Sequence, residues 1–399
     1  MGLLCSKVTF DIFKLLNPSM SFTNGDLERL PYIVHDKKPE VDNLVAKCVG
    51  MSQGDAAGSE TAWDFKQNML TLWGMAATEQ QKTVAEAYAM LREDWKKKTV
   101  EMRKLEMENN RIFIEAYGLT DEMKPDVPWN EISLTCNPWY RYGEKNAADG
   151  DEFPLDETLE KKLRTDTIKE LVSYAVGCLM GRYSLDKEGL ILASQGETLE
   201  DYWQKVGVEK TAATLQPDDD GILPVIVGAN AFADDAKNRV TEFVRVVFGA
   251  ENLNANLNFI EECLGTTLES YLAKEFWKDH KKMYQNRPIY WLFSSKKGAF
   301  QCLVYMHRMD AYTATKVRND YLLKHIEFLR TRIAADTARS ADLSAQERRD
   351  LKKMQQALDE CLEYDGRLHV VADRMQPIDL DDGVVVNYAK FGDVLAKLK

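Results

Sequence analysis

The chain has 399 residues, 45% of them hydrophobic, and a net charge of −12, so it can bury an ordinary core and is long enough for two or three folding units. The acidic balance excludes a uniformly basic nucleic-acid coat, so a polyanion-binding face has to be a local excess of Lys and Arg. The seven cysteines, at 5, 48, 136, 178, 263, 302 and 361, are never closer than 39 residues, which excludes zinc knuckles and a disulfide framework and points to reduced thiols in the cytoplasm.

The first segment, MGLLCSKVTFDIFKLL, is interrupted by Lys7, Asp11 and Lys14, so it is neither a signal-peptide core nor a membrane span. Leu4, Val8, Ile12 and Leu15 share one helical face, and Asn17-Pro18 ends the helix. A helix beginning this abruptly at Met1 reads as the continuation of something longer. The small, polar stretch 50–60 (GMSQGDAAGSE) reads as a loop. Thr78 and Gln81 have capping-box spacing, and the apolar row from Val84 through Leu91, Trp95, Met102, Leu105 and Ile112 predicts one long helix ending at Gly118.

Between 119 and 276 the pattern is mixed. It holds a Pro-punctuated stretch, a helix near 157–180, the turn-rich QPDDDGILP and a helix near 234–248. In the helix near 157–180, Gly177 and Gly181 have the spacing that lets two helices approach closely. The rows Leu322, Ile326, Leu329, Ile333 and Leu351, Met354, Leu358, Cys361 predict an antiparallel helical hairpin, followed by a strand or turn and a short helix. The fold class is α+β and predominantly helical, with a small antiparallel β element. In domain terms, 1–60 is an opening helix and junction, 61–118 a long helical element, 119–310 an α+β body, and 311–399 a helical hairpin with a tail.

Candidate chemistry is sparse. The 22 glycines form no G-x-G, the turn on which a Rossmann-type domain presses its cofactor. Asn137-Pro138-Trp139-Tyr140 approaches the N-P-P-Y element that engages an exocyclic amine, but Trp stands in the third position. It reads as a structural turn with aromatic packing. His35, His280, His307, His325 and His369 have no metal-binding spacing, and neither a nucleophile elbow nor a phosphate-binding glycine loop is present.

One segment stands out. Lys278, Lys281, Lys282, Arg287, Lys296, Lys297 and Arg308 face a single acid, Asp279, a local excess of six positive charges in an acidic chain. Ile289, Trp291 and Phe293 alternate with Tyr290 and Leu292, Ser294-Ser295-Lys296-Lys297-Gly298 supplies turn residues, and Phe300, Cys302, Val304 and Met306 alternate on the return. This predicts a β-hairpin with two lysines at its tip. Such a ribbon could enter a major groove or grip phosphates with Lys281, Lys282, Tyr284, Arg287, Lys296, Lys297 and Arg308. It could equally be a core hairpin whose lysines only keep the turn wet.

Several strings carry a family resemblance. LLCSKVTFDIFKLLNPSMSFTNGDLERLP, NRIFIEAYGL, NPWYRYG, SYAVGCLMGRYSLDKEGLILASQGETL, RPIYWLFSSKKGAFQCLVYMHR and DLDDGVVVNYAKFGDVLAKLK resemble the region after the catalytic domain in PglX-type adenine-specific DNA methyltransferases of bacteriophage-exclusion (BREX) systems, relatives of the type IIG restriction-modification enzymes. The resemblance implies an intact protein that methylates adenine N6 from S-adenosylmethionine, with the catalytic and cofactor elements preceding the first string. It carries no catalytic residue onto this chain, which is expected to bind no cofactor itself and to be inactive alone. The implied partners are double-stranded DNA, a catalytic domain in cis or in trans, and other BREX components, with no membrane. A protein-interaction scaffold using the helical hairpins is the alternative, and a free-standing methyltransferase using Asn137 and Tyr140 is a third reading.

Overall fold

The computed structural model describes the chain except residues 18–22, 34–35, 78–82, 144–149, 229–231, 340–342 and 399. In chain order its helices are α1 (Lys7–Leu16), α2 (Asn24–Glu28), α3 (Lys38–Ala56), α4 (Met69–Ala76), α5 (Val84–Ala116), α6 (Pro138–Arg141), α7 (Glu157–Leu179) and α8 (Leu199–Val206). They continue with α9 (Ala236–Phe248), α10 (Leu253–Leu264), α11 (Leu268–Lys274), α12 (Phe276–Met283), α13 (Thr313–Lys316), α14 (Leu323–Ala338), α15 (Ala345–Asp373) and α16 (Val384–Ala389). The strands are β1 (Ile222–Pro224), β2 (Tyr290–Ser294) and β3 (Gln301–Tyr305). The fold is therefore α+β and predominantly helical, and no helix among the described residues is long and apolar enough to cross a membrane. Two compact units interleave along the chain: residues 1–63 with 86–166, and residues 64–85 with 167–399.

In the first unit, Val8 of α1, Val41 and Leu44 of α3, and Leu105, Ile112 and Phe113 of α5 form one buried cluster. Ser6 caps α1, its side chain accepting from the Thr9 N–H. The long helix runs as expected to Ala116, whereas the Thr78–Gln81 pair lies outside the described residues. The stretch 50–60 is a loop only from Ala57 on, because α3 continues to Ala56. Tertiary contacts override the weak propensity of Gly50 and Gly54: Met51 packs on the core, and Asp55 accepts the backbone N–H groups of Thr135 and Cys136.

In the second unit a three-stranded antiparallel sheet has the order β1-β3-β2. The hairpin β2–β3 matches the expected alternation, with Tyr290 opposite Tyr305 and Phe293 opposite Cys302. β1 adds a third strand, delivered by Asp218, whose Oδ1 accepts the N–H groups of Asp220, Gly221 and Ile222. Helices α14 and α15 pair as the predicted helical hairpin. Ser344 and Glu347 form a capping box at the start of α15, and the Arg318 guanidinium makes two hydrogen bonds to Asp365 of α15.

Gly177 and Gly181 do not serve a helix pair. A Cβ on Gly177 would stand 2.5 Å from the Tyr183 ring, and Gly181 has φ +78 just past the end of α7. The spacing reflects a tyrosine folded back onto its own helix. Gly177→Ala is therefore expected to destabilise the fold by about 1–3 kcal/mol, the usual cost of overpacking, measurable as a lower urea midpoint; an unchanged midpoint would contradict that contact.

Candidate nucleic-acid interface

The sheet is buried on both faces. Tyr290, Trp291 and Phe293 of β2 and Cys302, Leu303 and Tyr305 of β3 are fully buried. The outer edge of β2 is covered as well, since Phe293 bridges to Leu395 and the Ala396 N–H donates to the Leu292 carbonyl at 2.8 Å. The ribbon itself therefore cannot lie in a groove, and the aromatic alternation belongs to a core hairpin. What remains accessible is its two ends.

At the tip, Lys296 and Lys297 are exposed, and neither ammonium has an ion-pair partner among the described residues. Their turn is held from a distant helix. Glu360 of α15 accepts from the Ser295 hydroxyl at 2.6 Å and from the backbone N–H groups of Lys297 at 2.7 Å and Ala299 at 3.3 Å. One carboxylate oxygen thus fixes three donors of a turn that also carries Gly298 at φ +81. Burial pushes the Glu360 carboxyl up, but these hydrogen bonds, with the Lys297 charge adding to them, outweigh it and hold the group below the usual carboxylate range. Its stabilisation is complete above the unfolded carboxylate pKa of about 4.3 and is lost as pH falls through the lower folded value. Glu360→Ala is expected to cost roughly 1–3 kcal/mol and to speed amide exchange at Lys297 and Ala299 in particular. Unchanged protection at those two amides would remove the clamp.

At the root, α12 turns into β2 through Gln285 and Asn286, both left-handed with φ 52 and 61. Two successive non-glycine residues in that region store strain, and Arg287 after them is exposed, as is Lys282 in the last turn of α12. His280 anchors the turn from beneath. Its Nε2 accepts the N–H groups of Ile289 and Tyr290, each at 3.1 Å, and burial, with Arg182 adding, lowers its pKa to about 3. It is a neutral core histidine. Tyr284 lies half-buried against it, with ring centroids 4.7 Å apart.

The other candidates are committed inward. Lys281 donates to the Leu398 carbonyl at 2.9 Å and stands over the Trp277 ring. Arg308 gives its guanidinium to the carbonyls of Asp218 at 2.8 Å and Asp219 at 2.7 Å, tying the end of β3 to the turn before β1. Asp279, the single acid of the basic segment, pairs with Lys169 of α7 at 2.9 Å. The predicted seven thus separate into a tip pair, a root group of Lys282, Tyr284 and Arg287, and two residues engaged within the fold.

Sequence reasoning missed Glu360 and Arg182. Arg182 is half-buried, and it donates to the hydroxyls of Tyr183 at 3.1 Å and Tyr305 at 3.2 Å, with no carboxylate partner among the described residues. No local signal marks either one, since the Glu360 turn lies some 65 residues away and Arg182 joins its neighbour Tyr183 to Tyr305, 123 residues on.

The methyltransferase-like string behaves as a structural turn. Asn137 caps α6 through its Oδ1, and its Nδ2 donates to the carbonyls of Trp129 at 2.7 Å and Ile132 at 2.9 Å. The residue is fully buried and its amide is spent at both ends. Trp139 donates its indole N–H to Pro154, and the segment Ile132 to Cys136 is not a strand.

The sequence is 38% identical over 403 aligned positions to the adenine-specific methyltransferase BrxX of Escherichia coli O9:H4 (strain HS), covering 96% of this chain and 32% of that protein. It is 31% identical over 406 positions to the adenine-specific methyltransferase PglX of Lacticaseibacillus casei (strain Zhang), covering 98% of this chain and 31% of that protein. The chain is a relative of the BrxX and PglX methyltransferases. It spans about a third of the length of each. No protein-family model matches it.

Proposed function

We propose that the chain is the DNA-recognition part of an adenine-specific methyltransferase of a BREX phage-defence system, the part that follows the catalytic domain and holds the target duplex against it. The observation that carries this reading is the tip. Lys296 and Lys297 are exposed, neither ammonium is in a salt bridge among the described residues, and both ride on a turn that Glu360 pins in place, its carboxylate also feeling the Lys297 charge. A turn backbone held in this way reduces the ordering cost of meeting phosphates to that of the two lysine side chains. Lys282 and Arg287 precede the five-residue strand β2 and the tip lysines follow it, so the two groups of cations lie at opposite ends of the hairpin and could meet different phosphates of one duplex.

Methyl transfer to adenine N6 belongs, in this reading, to a catalytic domain that holds S-adenosylmethionine, joined in cis or met in trans. Asn137 supports that division of labour, since its engaged amide offers nothing to an extruded base. Other BREX components and the cytoplasm complete the setting. Gel-shift titration of the intact chain on duplex DNA tests the proposal, and retention that weakens with salt is the expected outcome.

The scaffold reading is supported by a different feature. Leu362 and Val370, eight positions apart on α15, are exposed, as are Val385 and Val386 of α16. Co-purification with a catalytic subunit, and no DNA retention at low salt, would favour it.

A further inference from the structure

Just past the end of α7, in the second unit, Arg182 stands among tyrosines. Its backbone is fixed on both sides: the Arg182 N–H donates to the Gly177 carbonyl at 2.9 Å, and its carbonyl accepts the Ile191 N–H at 2.8 Å. The guanidinium is held as well, with Nε donating to the Tyr183 hydroxyl at 3.1 Å and Nη1 to the Tyr305 hydroxyl at 3.2 Å. The Tyr305 hydroxyl donates its own proton to the Leu192 carbonyl, so it meets Arg182 only as an acceptor. Gly177 leaves room for this arrangement, since a Cβ there would stand 2.5 Å from the Tyr183 ring and 3.2 Å from the Tyr290 hydroxyl.

These bonds use two of the five N–H donors of a guanidinium. Nη2 has no acceptor among the described residues, yet it is not sealed in the core, and Arg182 as a whole is half-buried. His307 is half-buried too, its ring 5.0 Å from that of Tyr305, and its Nδ1 has no hydrogen-bond partner. Burial, with the Arg182 charge adding to it, lowers the His307 pKa to about 4, so the imidazole is neutral. Glu197, whose charge reaches His307, is engaged elsewhere: it accepts the N–H groups of Ala193 and Ser194 and the ammonium of Lys205. A guanidinium cannot shed its proton to escape desolvation, so this charge is met by neutral hydroxyls alone. A planar fork held by two of its nitrogens, with the third open, is preorganised for paired, charge-assisted hydrogen bonds to an oxyanion.

We propose that Arg182 anchors a binding site for a small oxyanion, one phosphate or carboxylate group seated against its Nη2 beside the His307 ring. The incoming group meets donors already in place, so little side-chain freedom is lost on binding. The site is separate from the lysine tip. Tyr305 pairs with Tyr290 at the root of the hairpin, the end away from Lys296 and Lys297, and those two cations are exposed where Arg182 is recessed.

The test is calorimetry of the intact chain with sodium phosphate and with sodium acetate, each in chloride of matched ionic strength. One-to-one binding is expected at about millimolar affinity, the strength of two hydrogen bonds to a charged group. Stronger binding of phosphate assigns the ligand to the phosphate class, and stronger binding of acetate to the carboxylates. Arg182→Lys keeps the charge but loses the planar fork, and should weaken binding about tenfold or more. Lys296→Gln with Lys297→Gln should leave it at the wild-type value. A selenate soak of wild-type crystals reads the site without a variant, with anomalous scattering expected within hydrogen-bond reach of Arg182 Nη2. The proposal is overturned by no heat with either anion, by unchanged affinity in a folded Arg182→Lys, by binding that the paired lysine variant abolishes, or by selenate found only elsewhere. None of these outcomes depends on whether the chain binds duplex DNA.

Discussion

Reversing both tip charges, Lys296→Glu with Lys297→Glu, is expected to weaken binding to duplex DNA by about two orders of magnitude at low salt. Each phosphate contact contributes close to 0.9 to the slope of log affinity against log salt, so neutralising two removes roughly a tenfold share and reversing them adds repulsion of similar size. The helical spectrum should be unchanged, since both side chains are exposed, although a carboxylate in place of Lys297, near Glu360, loosens the turn that Glu360 holds. The paired variant Lys296→Gln with Lys297→Gln separates the two contributions: its slope should fall by roughly 1.8 while its affinity falls about tenfold. Anisotropy of a labelled duplex reads both numbers, and wild-type affinity in the reversed variant would remove the tip from the interface.

The second large effect is on stability. Trp291 is fully buried on β2 and donates its indole N–H to the Pro288 carbonyl at 3.1 Å. Its ring meets those of Tyr388 at 5.2 Å and Phe391 at 5.6 Å, the two aromatics that seat the carboxy-terminal segment on the sheet. Trp291→Ala opens a cavity beneath that segment and should cost about 3–5 kcal/mol. The tail should then become sensitive to limited proteolysis near 380–398 before the remainder of the unit unfolds. Trp291→Phe should restore most of the loss. A urea midpoint for Trp291→Ala within about 1 kcal/mol of wild type would mean that the tail is seated by other contacts.

How much of this was legible follows from the range of each interaction. Helix α9 and the hairpin of α14 with α15 were readable because their apolar spacing and caps are local, as with Asp235 capping α9 and Ser344 capping α15. The β2–β3 hairpin was equally plain, its turn residues standing at the centre of two alternating runs. Its burial was not. Alternation in β2 marks two different cores, one on each face, and period alone does not distinguish that from one wet face. The last turn of α3 was hidden because Gly50 and Gly54 argue against helix while their support, Asp55 holding Thr135 and Cys136, comes from 80 residues away. The Glu360 clamp spans 65 residues to Ser295. Within the basic segment, sequence could count cations but could not tell Arg308, spent on the carbonyls of Asp218 and Asp219, from Arg287, which is free in solvent. Three-residue β1 is too short to carry a period at all.

The DNA-recognition claim is tested most directly by the salt dependence of the wild-type chain on a duplex of mixed sequence. With Lys282, Arg287, Lys296 and Lys297 as the exposed cations at the two ends of the hairpin, log affinity against log salt should fall with a slope of about −3.6 between roughly 50 and 200 mM. No binding at the lower salt, or an affinity that salt leaves unchanged, would contradict it.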